Sequence, residues 1–262
     1  MRGIRVSQRR FHVAGHESVY NNGMKRRLTI SALLLAATTA SVATPVQLWA
    51  RGVERPTQPA AAKPFHVILR EAFGNNHEVV SDALFNKTVF DGKLTKEQLI
   101  VHLQQRALIH NEVHRILIAA DPALHVPYGP AQKNVLVLLF TDLIDLGSGW
   151  PTEQQAMPLT RDFLKEIRES EKRGPYFALG VQHVYYGGIT NGGRMIGDEI
   201  GKTLKFTPTY YEKSEGYMEY VPEIDKITDP AAQAEMIRGG QAAYRYIIAI
   251  SNEPVFKAGT SK

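Results

Sequence analysis

Tyr185-Tyr186-Gly187-Gly188-Ile189-Thr190-Asn191-Gly192-Gly193-Arg194 places four glycines, in two pairs, inside a segment whose apolar spacing otherwise reads as helix. Each glycine costs a helix interior roughly 1 kcal/mol relative to alanine, so four in seven positions mark a helix that is bent or closely approached. Backbone without Cβ atoms lets a flat or bulky group lie at contact distance, and small paired residues are a common site of kinking. Three readings fit these residues: a cofactor pressed on a kinked helix, close packing of a second helix, or two short helices joined by a Gly-Gly turn.

Around this stretch nearly every segment after Pro64 has helical spacing. The pattern predicts helices over Phe65 to Ser81, Thr95 to Ala119, Pro130 to Leu146, Leu159 to Arg173 and Tyr176 to Lys205, with a last one opening at Asp229-Pro230 and running to about Asn252. Thr95 with Gln98 is a capping-box pair, and Asp229 followed by Pro230 is an N-cap with proline in the first turn. Pro208 to Ile227, with Tyr210, Tyr211, Tyr217 and Tyr220, reads as short helices and loop. Strand-like alternation is scarce, so the fold class is all-α.

The chain has 262 residues, 44% of them hydrophobic, enough for one sizeable core at 64–254. Its net charge of +5 is unevenly placed: residues 1–55 hold nine Lys/Arg against two Asp/Glu, leaving 22 basic and 24 acidic residues in the rest. The core region is therefore not basic, which argues against a nucleic-acid partner. The early charges belong to an export pattern over residues 1–43. Met24-Lys25-Arg26-Arg27 is a basic start, Leu28 to Ala40 an apolar run too short to span a bilayer, and Ser41-Val42-Ala43 a small-residue cleavage site. This predicts a start at Met24, a periplasmic or secreted mature chain and no stable membrane insertion once the leader is removed. Residues 44–63 read as a Pro/Ala-rich spacer and 255–262 as a C-terminal tail. The absence of cysteine excludes disulfides, lipoprotein attachment and thiolate chemistry.

A second segment, Leu69-Arg70-Glu71-Ala72-Phe73-Gly74-Asn75-Asn76-His77, joins the glycine stretch about a hundred residues later in a pattern that resembles the heme oxygenase family. Leu69, Arg70, Glu71, Ala72 and His77 match the family's N-terminal helix, and Tyr186, Gly188, Gly192 and Gly193 match its kinked helix. The resemblance covers roughly Pro64 to Pro254 and implies a heme-oxygenase-like multi-helix bundle that sandwiches heme, as substrate and cofactor, between the two helices. It implies His77 as the iron ligand, Arg70 beside a propionate, and Tyr185, Gly188, Ile189, Gly192 and Gly193 against the heme. It also implies O2 and an electron donor as co-reactants, with iron, CO and a biliverdin-type product released. The family's acid after the first conserved glycine falls on Ile189 here, leaving Thr190 and Asn191 as the polar candidates for catalysis. A non-catalytic heme carrier is the alternative that Ile189 and export favour.

Other residues carry weaker signals. Lys205 and Lys213 are looser candidates for the propionates, and His183 is a candidate hydrogen-bonding group near the cofactor. His110 and His114 are spaced i, i+4 around Glu112, a spacing that can grip a metal. That pair supports a third reading, a non-heme di-iron oxidase on the same scaffold.

Overall fold

The computed structural model describes residues 63–121, 134–211 and 217–259, which lie in one unit spanning residues 59–262. The elements are α1 (Phe65–Phe73), α2 (Asn76–Ser81), α3 (Leu84–Phe90), α4 (Lys96–Ala120), α5 (Val135–Asp145), α6 (Pro158–Ser170), α7 (Tyr176–Gly188), α8 (Arg194–Leu204), α9 (Tyr217–Asp225) and α10 (Pro230–Ser251). No strand occurs among the described residues, and no helix among them is long and apolar enough to cross a membrane. The leader, the spacer apart from Lys63, and Lys213 lie outside the described residues.

Two predicted helix starts follow from local chemistry. At α4, Thr95 Oγ1 accepts from Gln98 N at 3.2 Å and Gln98 Oε1 accepts from Thr95 N at 3.0 Å. At α10, the Asp229 carboxylate accepts from Ala231 N and Ala232 N. Each pair satisfies backbone donors that a helix start leaves without partners. Gln98 also donates through Nε2 to the carbonyls of Val255 and Lys257, and Thr88 donates to Phe256 O. Phe256 is fully buried, so the stretch read as a tail is anchored at Phe256 in the core and at the Val255 and Lys257 carbonyls, while the Lys257 side chain is exposed.

Glycine brings α7 and α10 together. A Cβ on Gly180 would land on the Met236 carbonyl oxygen, and one on Gly239 would land on that of Phe177, so only hydrogen fits at either crossing point. Gly240 receives the ring of Phe73 from α1 in the same way. Phe177, Val181, Met236 and Ala243 fill the seam on either side, with Leu99, Leu103, Ile109 and Leu117 of α4 continuing the core.

Two predicted helices differ in the structure. The helix expected over Phe65 to Ser81 breaks at Gly74, whose φ of +49° and ψ of −135° suit glycine and few other residues. Phe73 stays in the core while Gly74-Asn75 turns the chain, so Arg70 and His77 do not share a helix face. The helix expected over Tyr176 to Lys205 runs through its glycines as α7, one π-helical turn at Ile189–Gly193 and α8. Gly188 and Gly193 keep helical dihedrals. The glycine stretch is thus a widened turn with the backbone still hydrogen-bonded along the helix, a form that recurs at functional sites.

Candidate ligand-binding cleft

A cleft of about 260 Å³ opens between the α2–α3 corner and the π turn, with α4 and α10 behind it. Its walls are Val80, Phe85, Phe90, Val184, Ile189, Met195, Ile196 and Ile247, an apolar lining with a few polar groups converging on it. His77 enters from α2, while Tyr185, Gly188, Ile189, Asn191, Gly192 and Gly193 enter from the end of α7 and the π turn. Arg70, on the far side of the Gly74 break, and Thr190 do not line it. The exposed His77 imidazole makes no hydrogen bond or ion pair among the described residues, which leaves both ring nitrogens available as donor or ligand.

The glycines of the π turn divide into two kinds. A Cβ on Gly188 or Gly192 would meet no atom within 4 Å, so these two present bare backbone to open space. A Cβ on Gly193 would sit 3.4 Å from the Tyr211 ring and 3.5 Å from Ile189 Cγ2, and one on Gly197 2.9 Å from Tyr211 Cβ. Gly193 and Gly197 let Tyr211 pack, whereas packing does not account for Gly188 and Gly192. Of the polar residues here, Asn191 donates Nδ2 to Gly187 O at 2.9 Å, which commits its amide to the helix. Thr190 Oγ1 is buried without a hydrogen-bond partner.

Behind the cleft lies a polar cluster that motif reasoning missed. Arg106 on α4 donates Nε to His102 Nε2 at 2.7 Å and Nη1 to Tyr210 OH at 3.0 Å. Because His102 Nε2 accepts from a guanidinium, that ring carries its proton on Nδ1, and the Tyr211 hydroxyl, 2.7 Å away, donates to the same lone pair. Tyr210 OH lies 3.0 Å from His110 Nε2. Burial, followed by the charge of Arg106, holds the His102 pKa well below the ordinary histidine range, so the imidazole is neutral. His102 also stacks on Phe85, with centroids 3.7 Å apart. The guanidinium carbon lies 5.2, 5.5 and 6.0 Å from the ring centres of Tyr185, Tyr210 and Tyr211, within cation–π range.

Asp142 on α5 positions this cluster. Fully buried, it accepts from Thr209 N, Thr209 Oγ1 and Tyr210 N at 2.7 to 2.9 Å, which pins the short turn carrying Tyr210 and Tyr211. The signal for the cluster is present in the sequence: His102, Arg106 and His110 recur at i, i+4 and i+8 on one helix face.

His114 has rotated away from that face. Four residues advance a helix by 400°, so each i+4 step adds 40°, and His114 sits half-exposed, 3.3 Å from Asn134 Nδ2. Glu112 is engaged elsewhere, in ion pairs with Arg115 and Arg168. Among the described residues no group of three or more His, Asp or Glu side chains is placed to hold a metal ion, so the i, i+4 histidines gain no further ligand there. His183 on α7 is buried outside the cleft, where burial, then the charge of His66, lowers its pKa to about 4. Lys205 caps α8 in the left-handed region and donates to Lys202 O.

No protein-family model matches the chain, and no curated protein matches it in sequence. Solved structures do share its architecture. Heme oxygenase from Leptospira interrogans superposes with a TM-score of 0.61 at 17% identity, covering 72% of this chain and 99% of that one. Heme oxygenase-2 from Synechocystis sp. PCC 6803, solved in complex with heme and NO, gives 0.62 at 15% identity over 72% of this chain and 84% of its own. Heme oxygenase-1 from the same cyanobacterium, in complex with heme, gives 0.60 at 15% identity over 72% and 91%. At these identities the likeness is one of fold: the chain has the all-α architecture of the heme oxygenases.

Proposed function

We propose that the protein binds heme in the cleft between α2 and the π turn and opens its ring oxidatively. The observation that carries this reading is the juxtaposition of a free imidazole, His77, with the bare backbone of Gly188 and Gly192 on one apolar cleft. A flat macrocycle fits such a slot, because a Cβ at either glycine would occupy the space its face needs, and a histidine imidazole is a heme-iron ligand. The cavity is slightly smaller than the 300–1,000 Å³ usual for small-molecule sites, which suits edge-on entry with part of the ligand left in water. Bound heme would supply the redox iron at which O2 is reduced, and its own ring would be the carbon oxidised.

The chain's own residues then have separable tasks. His77 ligates and orients, Val80, Phe85, Ile189 and Ile247 exclude water, and the α4 cluster holds polar hydrogens near the inner wall. Tyr211 OH is committed to His102, and burial raises the pKa of Tyr185 well above the ordinary tyrosine range, so both phenols keep their protons. With the buried apolar Ile189 where the resemblance to heme oxygenases implies an acid, proton delivery has no carboxylate at this point, and ring opening is slow. The leader places the reaction outside the cytoplasm, with an electron donor of that compartment.

The same Ile189 favours a second reading, a heme carrier with no turnover. Protein loaded with hemin and given ascorbate in air distinguishes the two. Ring opening predicts loss of the Soret band, growth of a bilin absorbance and release of CO. A Soret band that persists with no CO formed contradicts it and leaves the carrier reading standing.

A further inference from the structure

The cleft contains one formally charged side chain among its lining residues, and it is a cation. Arg106 is partly buried on the inner wall, ringed by Tyr185, Tyr210 and Tyr211, and a guanidinium stays protonated at any physiological pH. Its hydrogen bonds go to neutral groups, His102 and Tyr210, and no carboxylate pairs with it among the described residues. Arg115, Arg168 and Arg173 behave differently, since each is paired with glutamate. Asp142, a buried acid that pins the turn carrying Tyr210 and Tyr211, spends its oxygens on Thr209 and Tyr210.

Removing an ion from water costs several kcal/mol unless opposite charge repays it. Aromatic rings repay a part, and apolar walls around a single charge focus its field into the cleft. We infer that Arg106 is the anion receptor of this cleft, taking the negative charge of a small monoanion or of a carboxylate on the cleft's occupant. Tyr211 and His102 then act as positioning residues: Tyr211 OH and Arg106 Nε share the lone pair of His102 and hold the guanidinium in one orientation. The assignment stands without the heme reading, and its test is arranged so that the two fail separately.

Heme-free protein is titrated with azide at constant ionic strength, and with decanoate against its neutral analogue decanol, by calorimetry. Wild type should bind azide, or prefer decanoate to decanol, and Arg106→Met should weaken that binding tenfold or more, since charge-assisted hydrogen bonds are lost. Loss of azide binding alone identifies a free monoanion as the guest. Loss of the decanoate preference alone identifies an acid group on a larger ligand. Arg106→Lys keeps the charge without the planar fork and should fall between, which provides a reading if the methionine variant does not fold by circular dichroism. Equal affinity of folded wild type and Arg106→Met for both probes, or no binding of either by wild type, overturns the assignment. Failure of hemin to bind would instead remove the heme reading while the azide and decanoate titrations still report on Arg106.

Discussion

At the scale of the residue, the cleft is defined by what individual positions lack. Gly188 and Gly192 lack a Cβ and face open space, His77 has no hydrogen-bond or ion-pair partner among the described residues, and Ile189 stands where the resemblance to heme oxygenases implies an acid. Positioned proton transfer is commonly worth roughly 10²- to 10⁴-fold in rate. Ile189→Asp is therefore expected to raise the rate of bilin formation tenfold or more, read by absorbance in the ascorbate assay, at some cost in stability because Ile189 is buried. No gain in rate from a folded variant would mean that proton delivery at this position does not limit ring opening. The residues of the π turn were legible in sequence because glycine pairs inside a helical pattern have few physical explanations. Arg106 shares a helix face with His102 and His110, a spacing visible in the sequence, but its importance arises from three tyrosines contributed by α7 and by the turn after α8, which no local pattern brings together. Arg70 lay within a recognisable motif, yet Gly74 at positive φ separates it from His77, and motif spacing cannot register a break that one residue makes.

At the scale of the element, the long helix α7–π–α8 uses glycine for two opposite purposes, and substitution separates them. Gly180→Ala forces a methyl group onto the Met236 carbonyl, where two backbones meet and neither can yield cheaply, and overpacking of this kind costs about 1–3 kcal/mol or more. Gly192→Ala meets nothing and gains helix propensity, so stability should hold or rise by up to about 1 kcal/mol. Urea denaturation of the two variants checks the contrast; equal destabilisation would show that Gly192 packs against protein. Gly192→Leu extends the same logic to function: the side chain enters the cleft, so the fold should survive while ligand affinity falls. The helices themselves were read well from periodicity and caps, as at Thr95 and Asp229. What periodicity left open was how the glycine pairs would be accommodated, because a π turn inserts one residue and shifts the side-chain register by that one step, too little to break an apolar pattern read by eye.

At the scale of the whole molecule, the fold keeps two imidazoles neutral in its interior, and this gives it an acid weakness. The pKa of His183 is about 4 in the folded chain, lowered first by burial, against about 6.5 unfolded, and His102 is shifted in the same direction. Between those values the unfolded chain binds more protons, so stability is complete above pH 6.5 and declines as pH falls toward 4. For His183 alone the loss amounts to roughly 3 kcal/mol. Unfolding free energies measured at pH 7, 5.5 and 4.5 should trace that decline, and a flat profile would mean that one or both histidines become charged without unfolding the chain. The central claim, that the cleft is a heme site with His77 as its ligand, is tested most directly by titrating hemin into wild type, His77→Ala and His110→Ala under the Soret band. Saturation at one heme per chain is expected in wild type and His110→Ala, with the histidine-ligated band lost or strongly weakened in His77→Ala. A wild type that shows no saturable heme spectrum, or a His77→Ala spectrum identical to it with the fold intact, would contradict the claim.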